Sequence, residues 1–285
     1  MNTRPAAPHA WEPADLVQHQ IVSVIASRQQ DRPRVVFKGG TLLRVCYSHD
    51  YRYSEDLDFD WIHPDTTKES IRHFFDGVAR RTQDRYNTSV TTRWGAQKLH
   101  LQWQTRDGQA GVIDTDVKRR TAHGVEPATA LWPILPRHDS VDTSHPILGY
   151  TLESVLAAKF DCIANQQRLA PRDYYDLFRL LQDQRIDLDE AIREFAQRHK
   201  LQAPHVRPDA DWFEIIFTGA HQNLEELTHR WEGLLQTGMI PEPHHDLDHL
   251  LDTITGAAQE PILAYTEARS ASNIPAKPRR RSLGR

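Results

Sequence analysis

Residues 36–60 read VFKGGTLLRVCYSHDYRYSEDLDFD, and this stretch contains parts of two predicted strands. Its first residues continue a β-branched run that begins at Arg34, which predicts a short strand followed at once by a glycine turn. The segment from Thr41 to Tyr47 predicts a helix that starts at this turn. Residues 57–62 then alternate apolar and acidic side chains, which predicts a second strand with one buried face and one acidic face.

The acidic face of the second strand is the first candidate for chemistry. Asp56 and Asp58 project from the same side, with Asp60 further along, because residues two apart in a strand share a face. Neighbouring carboxylates repel each other unless a cation lies between them, and oxygen ligands of this kind suit Mg²⁺. Leu57 and Phe59 indicate that the opposite side is buried, so the acidic side faces solvent or a site. An exposed acidic edge strand is the alternative interpretation when DLD is considered alone.

The glycine turn Lys38-Gly39-Gly40-Thr41 is the second candidate. Glycines let the backbone approach a phosphate closely, and the start of the following helix offers free N–H groups and the positive end of its dipole. The same sequence is also typical of an ordinary turn, and it is neither a GxGxxG motif nor a P-loop.

A β-hairpin supplies the third candidate. Residues 98–105 alternate, a turn sequence follows, and residues 110–117 form the partner strand, on which Asp114 and Asp116 share a face. A third carboxylate from a neighbouring strand would complete an oxygen cage for two metal ions that bridge a nucleotide's phosphates. The pattern leaves open which of the two enters. The basic residues 118–120, directly downstream, are suited to holding phosphates.

The remaining chain is predicted to be mostly helical. Residues 13–26 and 66–85 predict helices in the first half, and residues 121–146 carry four prolines and no clear period. The predicted helices beyond that segment cover residues 151–167, 172–183, 187–198, 209–219, 223–236 and 249–269. We therefore expect an α+β fold with three parts. These are an α+β half over residues 1–145, with a mixed sheet and helices, a helical half over residues 146–270 that completes a cleft, and a disordered basic tail over residues 271–285.

Composition excludes several classes of protein. The chain has 285 residues, of which 39% are hydrophobic and 26% charged, as in globular proteins. A net charge of -4 excludes a general phosphate binder, although the arginines of the tail could neutralise phosphates. Two cysteines exclude a disulfide scaffold and a cysteine-based zinc site. The sequence shows neither a signal peptide nor the roughly 20 apolar residues of a membrane span, so we expect a cytoplasmic protein.

The quoted stretch resembles the first motif of the AbiEii/AbiGii-type toxins, nucleotidyltransferase-fold proteins of bacterial toxin–antitoxin and phage-defence systems. That motif is a KGGTxL turn followed by RxSxDLDF. The matching residues here are Lys38, Gly39, Gly40, Thr41, Leu42, Arg52, Ser54, Asp56, Leu57, Asp58 and Phe59. IDTDVKRR resembles the second motif, in which Asp116 matches better than Asp114. Residues 151–159 and 171–177 resemble the third and fourth motifs, a lysine on one helix and RDxxDL on the next, and the whole resemblance covers roughly residues 34–182.

The resemblance implies a metal-dependent nucleotidyltransferase that moves a nucleoside monophosphate from an NTP to the acceptor end of tRNA and so blocks translation. The implied catalytic residues are Asp56, Asp58, Asp116, Lys159 and Asp176, of which the first three would bind Mg²⁺, with two ions expected. The implied nucleotide-binding residues are Lys38, Gly39, Gly40, Thr41, Arg52 and Ser54. The expected partners are NTP, tRNA and a cognate antitoxin, with no membrane, and the protein is expected to be a monomer.

Two other functions fit the same fold. One is a transferase that modifies a small molecule or a protein. The other is a non-catalytic nucleotide or RNA binder, against which the intact pair of Asp56 and Asp58 argues. Without the resemblance, Lys159 could equally be a surface lysine, and Asp173 could simply compensate a helix dipole.

Overall fold

The computed structural model describes residues 11–29, 33–95, 98–119, 126–164, 168–202, 220, 222–241 and 246–272. The predicted helix over residues 209–219 lies outside these ranges, as does Arg120. Of the predicted basic tail, only residues 271 and 272 are described, and they end a helix.

Within the described chain, seven strands form one mixed sheet in the order β3-β4-β5-β2-β1-β7-β6. The strands are β1 (Val35–Lys38), β2 (Leu57–Trp61), β3 (Ser89–Trp94), β4 (Leu99–Gln104), β5 (Ala110–Arg119), β6 (Thr129–Trp132) and β7 (Ile147–Tyr150). Strand β2 lies at the centre, antiparallel to β1 and parallel to β5. Strand β1 is also parallel to β7. The acidic strand is therefore bordered on both sides.

Helices α1 (Glu12–Arg28) and α3 (Lys68–Tyr86) cover one face of the sheet. The apolar side chains of β2 point to this face: the ring of Phe59 lies 5.9 Å from that of Phe75. Helix α3 begins after Thr67, whose hydroxyl accepts a hydrogen bond from the backbone N–H of Ser70, and ends at Asn87 in the left-handed region. Because side chains alternate along a strand, the acidic residues of β2 point to the opposite face.

The glycine turn continues directly into helix α2 (Gly39–Leu42) and a π-helical turn over Leu43–Tyr47. The helix thus begins two residues before the predicted start. Buried Arg44 fixes this segment to α1, because its Nη2 donates a hydrogen bond to Asp15 Oδ2 at 3.0 Å.

The helical half contains α4 (Leu152–Ala164), α5 (Pro171–Leu181), α6 (Leu188–Gln202), α7 (Leu224–Gln236) and α8 (Leu247–Ser272). Helix α4 packs on α5 and α6, and α8 packs on the same two helices. Phe160 and Phe195 join α4 to α6 with ring centroids 5.8 Å apart. The backbone N–H of Tyr53 donates to the carbonyl of Met239 at 2.8 Å, which ties the loop before β2 to the segment that follows α7.

The structure confirms the predicted α+β fold class and adds three strands that were not predicted: β3, β6 and β7. The predicted boundary between residues 145 and 146 falls just before β7. This strand pairs with β1, at the register Phe37 to Gly149, so the sheet continues past that boundary. None of the described helices combines the length and the apolar character needed to cross a membrane.

Candidate active site

A cleft of about 520 Å³ lies on the face of the sheet opposite α1 and α3. The sheet forms one wall, and α4 with the start of α5 forms the other. The charged residues that line it are Lys38, Arg52, Asp56, Asp58, Lys98, Asp116, Lys118, Lys159, Asp161, Arg168, Arg172 and Asp173. Carboxylates and cations therefore line the same cleft.

Strand register brings the carboxylates of the sheet wall together. Asp58 and Asp116 are directly paired across the parallel strands β2 and β5, and Asp56 immediately precedes β2 on the same side. Asp114 lies two residues before Asp116 but outside the cleft lining, and its Oδ1 is 2.7 Å from Nδ1 of His100. The arrangement favours Asp116 over Asp114 as the third carboxylate.

The environment of Asp58 disfavours the charged form of its carboxyl group. Burial raises the pKa of this carboxyl group, and the charges of Asp56 and Asp116 raise it further, while Lys38 and Lys159 lower it. Three converging carboxylates, of which the central one is disfavoured in its charged form, are the donor set that Mg²⁺ prefers. The residues present therefore fit the ion that the sequence predicts.

The glycine turn packs directly against these side chains. Gly39 has φ +78, and a Cβ there would lie 2.4 Å from Oδ2 of Asp58. A Cβ on Gly40 would lie 2.7 Å from Nη2 of Arg52 and 2.9 Å from Oγ of Ser54. Position 39 therefore requires glycine for its backbone conformation and for lack of space. Position 40 requires glycine for lack of space alone. The backbone of the turn forms the floor of the cleft between Asp58 and Arg52.

A buried charge network forms the opposite wall. Nζ of Lys159 lies 2.6 Å from Oδ1 of Asp173 and 2.6 Å from Oδ2 of Asp176. Arg52 binds Asp176 with two parallel hydrogen bonds, from Nε at 2.7 Å and from Nη2 at 2.6 Å. Burial alone would lower the pKa of Lys159, but the two carboxylates outweigh it and raise that pKa. Burial would raise the pKa of Asp173, but Lys159 and Arg168 lower it to about 2.

Comparison with known proteins identifies the family. The family model described as "Nucleotidyl transferase AbiEii toxin, Type IV TA system" matches residues 20–253. The chain belongs to the AbiEii family of nucleotidyltransferase toxins. The match extends past the predicted resemblance at both ends and includes α7 and the start of α8. No curated protein sequence matches the chain.

Two solved structures are similar to this AbiEii-family chain. MenT4, a nucleotidyltransferase toxin from Mycobacterium tuberculosis H37Rv, is 17% identical with a TM-score of 0.48, over 85% of this chain and 91% of that chain. An antigenic nucleotidyltransferase-like protein from Paracoccidioides brasiliensis is 13% identical with a TM-score of 0.35, over 77% of this chain and 92% of that chain.

The cleft of this AbiEii-family protein collects the predicted site residues with two exceptions. The hydroxyl of Thr41 is buried and donates to the backbone carbonyl of Asp56. Asp176 is fully buried behind the cleft wall, where Tyr51 also donates to it at 3.0 Å. These two residues hold other site residues in place and do not line the cleft. Lys159, which sequence places beyond the predicted domain boundary, lines the same cleft as Asp58.

Sequence reasoning missed several cations at the rim. Nζ of Lys98 lies 3.9 Å from Asp56, and Nη2 of Arg172 lies 4.0 Å from the same carboxylate. Lys118, which was predicted to be near the phosphates, lies 3.1 Å from Asp116. Arg172 is the first residue of the RDxxDL motif, so a signal for it was present. Lys98 reaches the site only through the strand pairing of the sheet, for which its local sequence gives no signal.

Proposed function

We propose that this AbiEii-family toxin transfers a nucleoside monophosphate from an NTP to the acceptor end of tRNA, in a metal-dependent reaction that blocks translation. The observation that carries the proposal is the strand register that sets Asp58 beside Asp116 in a cleft also lined by Lys38 and Lys159. Nucleotidyl transfer needs positioning and charge neutralisation more than covalent help from the protein. A cluster of carboxylates for metal, facing a wall of cations for phosphates, supplies both.

In this proposal Asp56, Asp58 and Asp116 hold Mg²⁺. When bound, the metal neutralises the triphosphate and polarises the reacting oxygen. The chain's own contribution is to keep three carboxylates on one face of two paired strands, where their mutual repulsion favours a cation.

The cations of the cleft keep donors available for phosphate oxygens. The hydrogen bonds of Arg52 use Nε and Nη2 toward Asp176 and Nη1 toward the carbonyl of Tyr53, which leaves two of its five N–H groups unengaged by described residues. Lys159 has three N–H groups, and two of them face Asp173 and Asp176. Each cation is thus fixed in place with at least one donor left for the triphosphate.

The proposed reaction is an in-line transfer at the α-phosphorus of the NTP. The hydroxyl oxygen of the acceptor attacks the α-phosphorus of the NTP, the bond from the α-phosphorus to the bridging oxygen breaks, and pyrophosphate leaves with the electron pair. The hydroxyl proton passes to Asp116, whose side chain lies in the cleft beside Asp58.

We also infer that the protein acts as a monomer in the cytoplasm and that a cognate antitoxin opposes it.

The test is incubation of the protein with total tRNA, Mg²⁺ and each of the four NTPs labelled at the α-phosphate, followed by a denaturing gel. We expect label in the tRNA band with one or more NTPs, none with the γ-labelled NTP, and none with an Asp58→Asn variant. Label on a protein or a small molecule instead of tRNA would indicate a different acceptor. NTP binding without label on any acceptor would indicate a nucleotide-binding protein and overturn the proposal.

A further inference from the structure

Asp60 is the last acidic residue of residues 56–60 (DLDFD), but it does not belong to the carboxylate cluster of Asp56, Asp58 and Asp116. It is only 4% exposed and is not among the residues that line the cleft. Its Oδ1 accepts a hydrogen bond from Nζ of Lys38 at 2.6 Å, and its Oδ2 accepts one from the hydroxyl of Tyr150. Lys38 itself lines the cleft, with 19% of its side chain exposed.

We propose that Asp60 and Tyr150 are positioning residues that hold Lys38 for the triphosphate of the NTP. This inference rests on the proposed function, since it assigns the Lys38 ammonium to the phosphates of that substrate. A lysine side chain has four rotatable bonds, so a lysine in an open cleft samples many positions unless a partner fixes it. The buried Asp60 carboxylate fixes Nζ and uses one of its three N–H groups.

The hydrogen bond between Lys38 and Asp60 also keeps the Lys38 ammonium from pairing with Asp58, one of the proposed metal ligands. Lys38 and Asp58 are directly paired across β1 and β2, so their side chains are neighbours on the cleft face. An unrestrained ammonium at that position would pair with Asp58 and occupy its oxygens. The hydrogen bond holds Nζ at Asp60, and among the described ion pairs Lys38 has none with Asp58, so the Asp58 carboxylate stays open to a cation.

Tyr150 connects the pair of Lys38 and Asp60 to the helical half. It lies at the end of β7, next to Gly149, which pairs with Phe37 of β1. The guanidinium of Arg198 on α6 lies 5.6 Å from the centre of its ring, and Arg198 is paired with Glu194. The hydroxyl that fixes Asp60 is therefore held by packing between the sheet and α6.

The test is a double-mutant cycle on NTP affinity. The dissociation constants of non-hydrolysable α,β-methylene NTP analogues are measured by calorimetry in the presence of Mg²⁺. The proteins compared are the wild type, Lys38→Met, Asp60→Asn and the double variant. We expect Asp60→Asn to weaken binding by about 10- to 100-fold, by analogy with the outer-shell residues that orient metal ligands. In the Lys38→Met background the same substitution should change affinity by less than about twofold, because Asp60 then has no lysine to position.

Two further variants keep the test decisive if Asp60→Asn folds poorly. Tyr150→Phe removes one hydroxyl and keeps the ion pair, so we expect about 3- to 10-fold weaker binding. Tyr86→Phe is its matched control, because the Tyr86 hydroxyl is likewise hydrogen-bonded, to Ser23 Oγ and the backbone N–H of Asp142, but lies on α3 at the opposite face of the sheet. It should bind the analogues like the wild type.

Equal losses from Asp60→Asn in the wild-type and Lys38→Met backgrounds would show a general structural effect and overturn the inference. Unchanged affinity in both Asp60→Asn and Tyr150→Phe would also overturn it, and would leave the proposed function intact. Failure of the wild type to bind any of the four analogues would overturn the proposed function, and this inference with it.

Discussion

Asp176→Asn tests whether the buried charge network behaves as the geometry requires. Asp176 is fully buried and receives two hydrogen bonds from Arg52 and one from Lys159. Asparagine keeps the shape but removes the charge, which leaves two buried cations with Asp173 as their remaining carboxylate partner in this network. Removing one partner of a buried ion pair costs about 3–5 kcal/mol of the free energy of unfolding. We expect a loss of that size.

The assay is urea unfolding at pH 7, where Asp176 is ionised because its pKa is lowered: burial would raise that pKa, but Arg52 and Lys159 outweigh burial. Asp50→Asn is the matched control, because Asp50 pairs with Arg179 at 3.4 Å but its side chain is 71% exposed. Exposed pairs contribute about 0–1 kcal/mol, so the control should unfold close to the wild type.

A double variant separates charge from packing. In Asp176→Asn, Lys159 and Arg52 share one buried carboxylate, Asp173. Adding Lys159→Met removes the excess cation, and Asp173 keeps Arg168 as a partner at 3.0 Å, so the double variant should recover part of the lost stability. A loss below about 1 kcal/mol for Asp176→Asn, matching that of Asp50→Asn, would refute the reasoning. So would a double variant that is less stable than Asp176→Asn alone.

Three further predictions concern the metal site, the pH dependence of stability and the tail. Asp58→Asn should abolish transfer. In metal-free buffer its melting temperature should be unchanged or higher, because the substitution removes repulsion from Asp56 and Asp116. Transfer near the wild-type rate would contradict the metal assignment. Burial lowers the pKa of His19 from 6.5 to about 4, so below pH 6.5 the unfolded state binds a proton that the folded state takes up only near pH 4. Stability should therefore fall by roughly 3 kcal/mol between pH 6.5 and 4 on account of His19, and urea unfolding of His19→Asn across that range should show a flatter dependence. Removal of residues 277–285 should weaken tRNA binding and reduce the slope of its salt dependence, with NTP affinity unchanged; an unchanged slope would exclude the tail from RNA binding.

Local sequence patterns predicted the elements whose own residues carry a clear period or a turn signal. The DLDFD alternation predicted β2 with one apolar and one acidic face, and the structure confirms both. The turn between residues 105 and 110 predicted the hairpin of β4 and β5, with almost the observed bounds. In each case the period of the side chains or the turn residues carry the information locally.

The missed strands show where local patterns fail. Strands β6 and β7 are four residues long, and β7 gains its place by pairing with β1, more than a hundred residues earlier. A run of four residues is too short to show a period of apolar side chains, and the prolines of residues 121–146 favoured a boundary between two halves of the chain. The positions of Asp60 and Asp176 were hidden for the same reason. Their partners Tyr150, Arg52 and Lys159 lie on other elements, so only the tertiary structure distinguishes them from metal ligands or catalytic acids.

The buried carboxylates behind the cleft are better explained by function than by stability. Replacing a buried ion pair by apolar residues of similar volume is often neutral or stabilising, so packing alone gives no reason to place Asp176 or Asp60 in the interior. Each of them instead binds a cation that also lines the cleft, with Arg52 and Lys159 on Asp176 and Lys38 on Asp60. In the proposed function, Lys38, Arg52 and Lys159 need a counter-ion before the nucleotide arrives, and that counter-ion must leave the proposed metal ligands free. Buried aspartates behind the cleft wall meet both requirements, and they leave Asp56, Asp58 and Asp116 as the carboxylates of the sheet wall that face the cleft.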